Sequence, residues 1–385
     1  MTTAPAEVWP FQPDAPLKET LEWKTDVLQS ETGEQRLALR AAPRQMFNFT
    51  TTLDETYFGK AREFNRLYGA TTFAFPVWPE QTKLGASLSA AATSISFSTA
   101  NASYTDGGYI LIWDSPDNYE FALLDSVASG SVVLSAGLSN SYQNPIVAPC
   151  RTCIVDGGGF SFTRSGPYFT VTANVIATDN AALSGTSPYP SYGGFDVLTD
   201  EPVTRNNLTE NVIRAATYVD NGFGLISMQP TKTYVDFGQT ISFIDAWGSE
   251  LWARRTWLHS LKGMQKTFWL PTFANELVLA ANILSTATTI DVESIGATAL
   301  YTSRHIMIEL KSGTRYFRAV STAAHESGGI DRMAIDSALG AGVTASDIAQ
   351  FCFLSLVRLN ADAVTITHND GGYAETAIPV IEVPA

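Results

Sequence analysis

The chain has 385 residues, 45% hydrophobic and only 16% charged, with a formal net charge of −14. A charged fraction below the roughly 25% of average globular proteins favours burial in an assembly over life as a free monomer. The acidic balance, without any Lys/Arg run, excludes a dedicated nucleic-acid reader.

In chain order, the opening MTTAPAEVWPFQPDAP lacks the positive-then-apolar pattern of a secretory signal, and no run of about 18 apolar residues follows. A protein made in the cytoplasm, with no membrane anchor, is expected. Trp23, Thr25 and Val27 then alternate as a strand, Thr32-Gly33 reads as a turn, and Leu37 and Leu39 alternate on a returning strand. Arg36, Arg40 and Arg44 recur every four residues; they would share a face on a helix, and Arg36 and Arg40 would share one on a strand. With Trp23, they are candidates for contact with a partner or neighbouring subunit, the alternative being pairing within the chain to Glu22, Glu31 or Glu34.

Phe58, Ala61, Phe64 and Leu67 follow at helical spacing, with Gly69 placed to cap the helix, and FAFP occupies 73–76. From 84 to 155, short apolar strands separated by regular turn signals predict a small barrel or sandwich. Cys150 and Cys153 form a CxxC, but Cys352 and the four histidines (His259, His305, His325, His368) are scattered, so two small residues at a strand end are expected rather than zinc ligands. The DGG sequences at Asp106, Asp156 and Asp370 offer one carboxylate each and read as turns, not calcium loops. LSGTSPYPSYGG at 183–194 reads as a linker with Tyr189 and Tyr192 as anchors. Trp252, Trp257, Leu258 and Leu261 predict a second helix, ended at Gly263 and followed by FWLP at 268–271.

The two phrases lie 195 residues apart, and the correspondence continues beyond them. Leu84 meets Leu279, Ile95 meets Ile290, and the run at Tyr109 meets the one at His305. A duplicated module is expected: helix, glycine stop, aromatic-x-x-Pro segment and small β domain. Its junction residues are Gly69, Phe73 and Pro76 in one copy and Gly263, Phe268 and Pro271 in the other. The predicted fold class is mainly β with a few short helices (α+β). Residues 1–83 and 156–278 form a scaffold, 84–155 the first small module, and 279–385 the second together with the C-terminal strands.

The phrase WKTDVLQS-TGEQR-ALR-APR, and later GMQKTFWLP, resemble segments of tail-tip or baseplate proteins of long-tailed bacteriophages, above all distal tail proteins. The resemblance covers 20–50 and 255–280. It implies a tail-tube-like β scaffold and a virion structural protein at the tail tip. It also implies self-assembly into a ring, hexameric or trimeric, that contacts tail tube and tail hub and passes DNA without specific binding. The duplicated module departs from the simplest such protein.

On that reading the ring lumen is expected to be acidic, no cofactor is required and the protein is not an enzyme. Two other functions make different demands on the sequence. A receptor- or glycan-binding tail protein would use its aromatic residues for sugar stacking, but Trp78, Trp113, Trp247, Trp252, Trp257 and Trp269 lie in patterned segments and read as core or subunit interface. A hydrolase would need paired carboxylates, for which Asp26, Glu31 and Glu34 are the only suggestion, and these fit a solvated hairpin better.

Overall fold

A computed structural model of the chain describes residues 4–183, 185–203, 210–213, 215–231, 236–296, 298 and 301–383. The described residues are mainly β, with two α-helices. The first stretch runs β1 (Asp14–Glu22), β2 (Thr25–Gln29), β3 (Glu34–Ala38), β4 (Arg44–Leu53), α1 (Glu55–Tyr68), β5 (Phe73–Pro76), β6 (Thr82–Lys83), β7 (Ser94–Ser96), β8 (Tyr109–Ser115), β9 (Asn118–Ala128), β10 (Ser131–Leu134), β11 (Ile146–Val155), β12 (Ser161–Ser165) and β13 (Tyr168–Ala177). A short hairpin, β14 (Ser191–Tyr192) and β15 (Phe195–Asp196), follows.

The second stretch runs β16 (Glu210–Ile213), β17 (Ala216–Val219), β18 (Ser227–Pro230), β19 (Asp236–Ala246), α2 (Ser249–Leu261), β20 (Thr267–Pro271), β21 (Thr289–Glu293), β22 (His305–Leu310), β23 (Arg315–Glu326), β24 (Ile330–Ile335), β25 (Ile348–Leu359), β26 (Ala363–Asn369) and β27 (Tyr373–Glu382).

The strands follow their hydrophobic pattern. In β4, Gln45, Phe47, Phe49, Thr51 and Leu53 are buried while Arg44, Asn48 and Thr52 on the other face are exposed. Helix α1 starts at Asp54, whose carboxylate accepts a hydrogen bond from the Tyr57 amide at 2.8 Å, and it buries Ala61 and Phe64. Helix α2 has no side-chain cap and is buried nearly all round, from Leu251 to Leu261.

The two stretches share one list of antiparallel pairings. On β11 lie β5, β8 and β13; on β25 lie β20, β22 and β27. The registers agree as well. Cys150 stands between Pro76 and Tyr109 as Leu354 stands between Pro271 and His305. Pairings β8–β9, β9–β10 and β7–β10 recur as β22–β23, β23–β24 and β21–β24. Likewise β4–β13 and β12–β13 recur as β19–β27 and β26–β27.

Strand β1 joins the stretches, pairing with β4 on one side and β26 on the other. The result is an eight-stranded run in the order β12–β13–β4–β1–β26–β27–β19–β16.

Two small cores occupy 84–147 and 277–353, centred on Ile110, Val132 and Tyr142 and on Ile306, Met333 and Phe351. Two larger cores lie under the eight-stranded run. One gathers Trp9, Phe49, Phe64 and Phe75, the other Trp257, Phe268, Ile366 and Ile378. Within 279–385, the small core ends at Phe353, while the C-terminal strands β26 and β27, with the end of β25, build a larger core. The boundary at 155 also divides what one strand unites, because β11 serves both a small core through Val147 and a large one through Cys153. The strand does so along its length: Ile146–Cys150 pair with β8 and Cys153–Val155 with β13.

Candidate assembly interface

The junction of the two stretches is built on β1. Leu17, Glu19 and Leu21 point inward by strand alternation, while Lys18, Thr20 and Glu22 point to the open face. Antiparallel pairing sets Thr20 opposite Thr365, and their hydroxyls meet at 3.1 Å. Glu19 is fully buried beneath this ladder. Its carboxylate accepts hydrogen bonds from Gln45 at 2.7 Å and from Arg255 at 2.9 Å, and it lies 2.9 Å from His368 Nε2. Arg255, on α2, also pairs with Glu80, whose other oxygen accepts from the Ser103 amide and hydroxyl at 2.6 Å each.

One guanidinium thus holds carboxylates from β1 and from the turn after β5. Burial alone would raise the Glu19 pKa, but Arg255 and His368 outweigh it and bring it down to about 2.

The hairpin β2–β3 forms where alternation predicts it, with Val27 opposite Arg36. Its base is fastened to the second stretch. The Asp362 carboxylate accepts from the Thr25 amide at 2.6 Å, the Thr25 hydroxyl at 2.8 Å and the Met264 amide at 3.2 Å. Gly263 fits here for two reasons: its φ is +67°, and a Cβ would stand 2.4 Å from Asp362 Oδ1 and 2.7 Å from Trp23 Cβ. Gly69 differs. It caps α1 in a right-handed conformation, φ −60°, and donates to Asn65 O at 2.8 Å. The expected shared glycine stop therefore serves two geometries.

Several expected contact residues are corrected. Trp23 is 2% exposed, packed against Gly263 and edge-on to His259, so it is core and not a surface for a partner. Arg36 pairs with Glu34 at 3.4 Å and Arg40 with Glu22 at 3.2 Å, so these two follow the intrachain alternative. Arg44 alone of the three is exposed, on the open face of β4. Phe73, Pro76, Phe268 and Pro271 are all buried, and each phrase forms a strand along β11 or β25.

The other candidates resolve structurally. Cys150 and Cys153 lie inside β11, not at its end, and burial pushes both thiols well above their ordinary range. Among the described residues no group of His, Cys, Asp and Glu could hold a metal ion. Gly107, Gly157 and Gly371 of the DGG turns have φ near +70° to +93°. Glu34 is bound by Arg358 at 2.6 and 2.8 Å. All six patterned tryptophans are buried or half-buried. Tyr189 and Tyr192 anchor their segment, the first to Asp200 and Trp257, the second to His305 and Trp269.

Sequence reasoning missed Glu19, Glu80, Arg255 and His368, because buried charges carry no pattern of their own. It also missed an apolar arm. Hairpin β17–β18 presents Tyr218 and Met228, and Phe223 and Leu225 at its turn are fully exposed. The run GFGLIS between polar segments was its available signal. No protein-family model and no curated protein matches this chain.

Proposed function

We propose that this chain is a structural protein of a bacteriophage tail, forming a ring at the distal end of the tail tube that joins tube to baseplate or tip and passes DNA. The observation that carries it is the recurring pairing scheme. We read the two stretches as copies of one module, each giving four strands to an eight-stranded run whose two end strands are open among the described residues. A run with complementary open ends, repeated by rotation, closes into a barrel with no edge left. The resemblance of 20–50 and 255–280 to tail-tip proteins supplies the setting.

Subunit number follows from size. Three chains would supply about 24 such strands, and with ~4.8 Å spacing and ~40° tilt the barrel leaves a passage of roughly 35 Å, wide enough for a DNA duplex. Six chains would double the circumference, so a trimer of duplicated modules suits the task better than a hexamer.

The open sheet face, which would line the passage, refines the expected acidic lumen. It is rich in hydroxyls, including Thr20, Thr50, Thr172, Thr240, Ser242 and Thr365, with Lys18 and Arg44 set against Glu22 and Glu375. Such a surface offers no cation row to hold phosphates, which suits passage without binding. The buried tryptophans do not favour the glycan-binding alternative.

The test is the mass of the full chain by light scattering, with imaging of the particles. Discrete three-fold rings are expected. Open-ended filaments, or a monomer that binds glycan saturably, would overturn the proposal.

A further inference from the structure

The internal joint between β1 and β26 is a template for the joint between chains. This inference rests on reading the two stretches as equivalent modules. Under that equivalence β1 corresponds to β16, because Leu21 stands opposite Gln45 on β4 as Val212 stands opposite Phe237 on β19. Strand β26 corresponds to β12, because Ile366 stands opposite Thr376 as Phe162 stands opposite Val171. The pair β1–β26 is filled within the chain. Its counterparts β16 and β12 each have one neighbour and, among the described residues, an open second side.

Exposure marks what is missing. Leu21 is 1% exposed, whereas Val212, at the corresponding position, is 66% exposed. Ile366 is fully buried, while its counterpart Phe162 is only half-buried.

The hairpins extend the correspondence. Hairpin β2–β3, between β1 and β4, matches β17–β18, between β16 and β19. Its Glu34 reaches across to Arg358 in a nearly buried ion pair. The register places Ile154 where Arg358 stands, and carried one residue beyond the Val219–Ser227 pair it places Ile226 where Glu34 stands. Both isoleucines are exposed, at 57% and 41%. A charged pair at the filled joint is thus replaced, on the two open surfaces, by an apolar pair that nothing within the chain brings together. Two apolar surfaces at matching positions fit each other and gain from leaving water.

We propose that copies of this chain join head to tail by repeating the internal joint. Strand β16 of one chain adds antiparallel to β12 of the next, Asn211 opposite Ser161, and hairpin β17–β18 of the first lays Ile226 against Ile154 of the second. The pair Asn211–Ser161 reproduces Thr20–Thr365.

The test mixes two full-length single variants, Ser161→Cys and Asn211→Cys, under oxidation. The native cysteines are buried and leave little background. A disulfide-linked dimer is expected from the mixture and not from either variant alone. Thr163→Cys with Asn211→Cys, shifted by two residues, should not link. Thr20→Cys/Thr365→Cys in one chain serves as the internal standard. Oxidation traps even a sparse complex, so the disulfide reports the interface whether or not rings accumulate.

Discrete rings without this disulfide would overturn the interface and leave the ring standing. No disulfide and no oligomer, with the internal standard formed, would overturn both. Separately, Ile226→Glu should lower linkage at least about tenfold by burying an unpaired charge, and Ile154→Arg in the partner should restore it. Loss without rescue would place the hairpin elsewhere.

Discussion

If the two stretches are read as copies of one module, as proposed, the joint at β1–β26 and the edges of β16 and β12 that are open among the described residues are equivalent positions, one occupied and the others vacant. At the occupied joint, Leu21 is sealed, Glu19 lies beneath it with three partners, and a hairpin is clamped by Asp362. At the vacant edge, Val212 and Ile213 face solvent and the matching hairpin carries its apolar residues outward. The difference teaches that exposure here follows from what the neighbouring strand provides, since β1 and β16 hold matching register positions against β4 and β19. It also separates two roles for polar groups: the occupied joint uses ions inside the chain, the vacant ones present hydrocarbon.

The largest effect should come from Arg255. Arg255→Met leaves Glu19 and Glu80 buried without their shared cation, and a loss of about 3–5 kcal/mol in urea unfolding is expected. A loss below about 1 kcal/mol would mean that the two carboxylates find other partners.

Next in size is a matched pair that sharpens the comparison directly. Leu21→Ala should cost about 2–4 kcal/mol of chain stability, whereas Val212→Ala should change it by less than about 0.5 and weaken assembly instead. Equal costs in the isolated chain would erase the distinction between occupied and vacant joints.

The smallest effect is a pH dependence at the occupied joint. Burial, helped by the charge of Arg255, lowers the His259 pKa from 6.5 to about 4. The folded chain therefore keeps this ring neutral while the unfolded chain takes up a proton. Stability from this source is full above about pH 6.5 and is lost as pH falls to about 4, by on the order of 2 kcal/mol. Glu19 adds a second, more acidic loss between its ordinary range near 4.5 and about 2, because its folded pKa is also depressed. His259→Asn, compared with the parent by urea unfolding at pH 7 and 4.5, should flatten the first step and leave the second. An unchanged first step would assign it to His305, whose pKa burial also lowers.

Much of the local architecture was legible. The alternation at 23–39 corresponds to the two strands β2 and β3, with Trp23 and Leu39 just outside them, and the helical spacing at 58–67 and 252–261 to α1 and α2, since they reflect periodicities of 2 and 3.6. FAFP and FWLP lie in corresponding strands because a bulky, donor-poor phrase beside a helix end suits one kind of place. The candidate site was less legible. The arginine row pointed outward on paper, but two of its members turn back to Glu34 and Glu22, carboxylates close enough in sequence to be named and not to be chosen. Trp23 lies between β1 and β2, outside the strand its alternation predicted, and it packs against Gly263, 240 residues further on.

By itself the sequence determined the β-rich class, the two helices and the repeated phrase, because each is written in a few neighbouring residues. Only the tertiary structure decided that β1 is shared between stretches, that Arg255 meets Glu19 and Glu80, and that β12 and β16 are left open. Pairing partners and buried charges depend on contacts between residues far apart in the chain, and such contacts leave no period in the sequence to read.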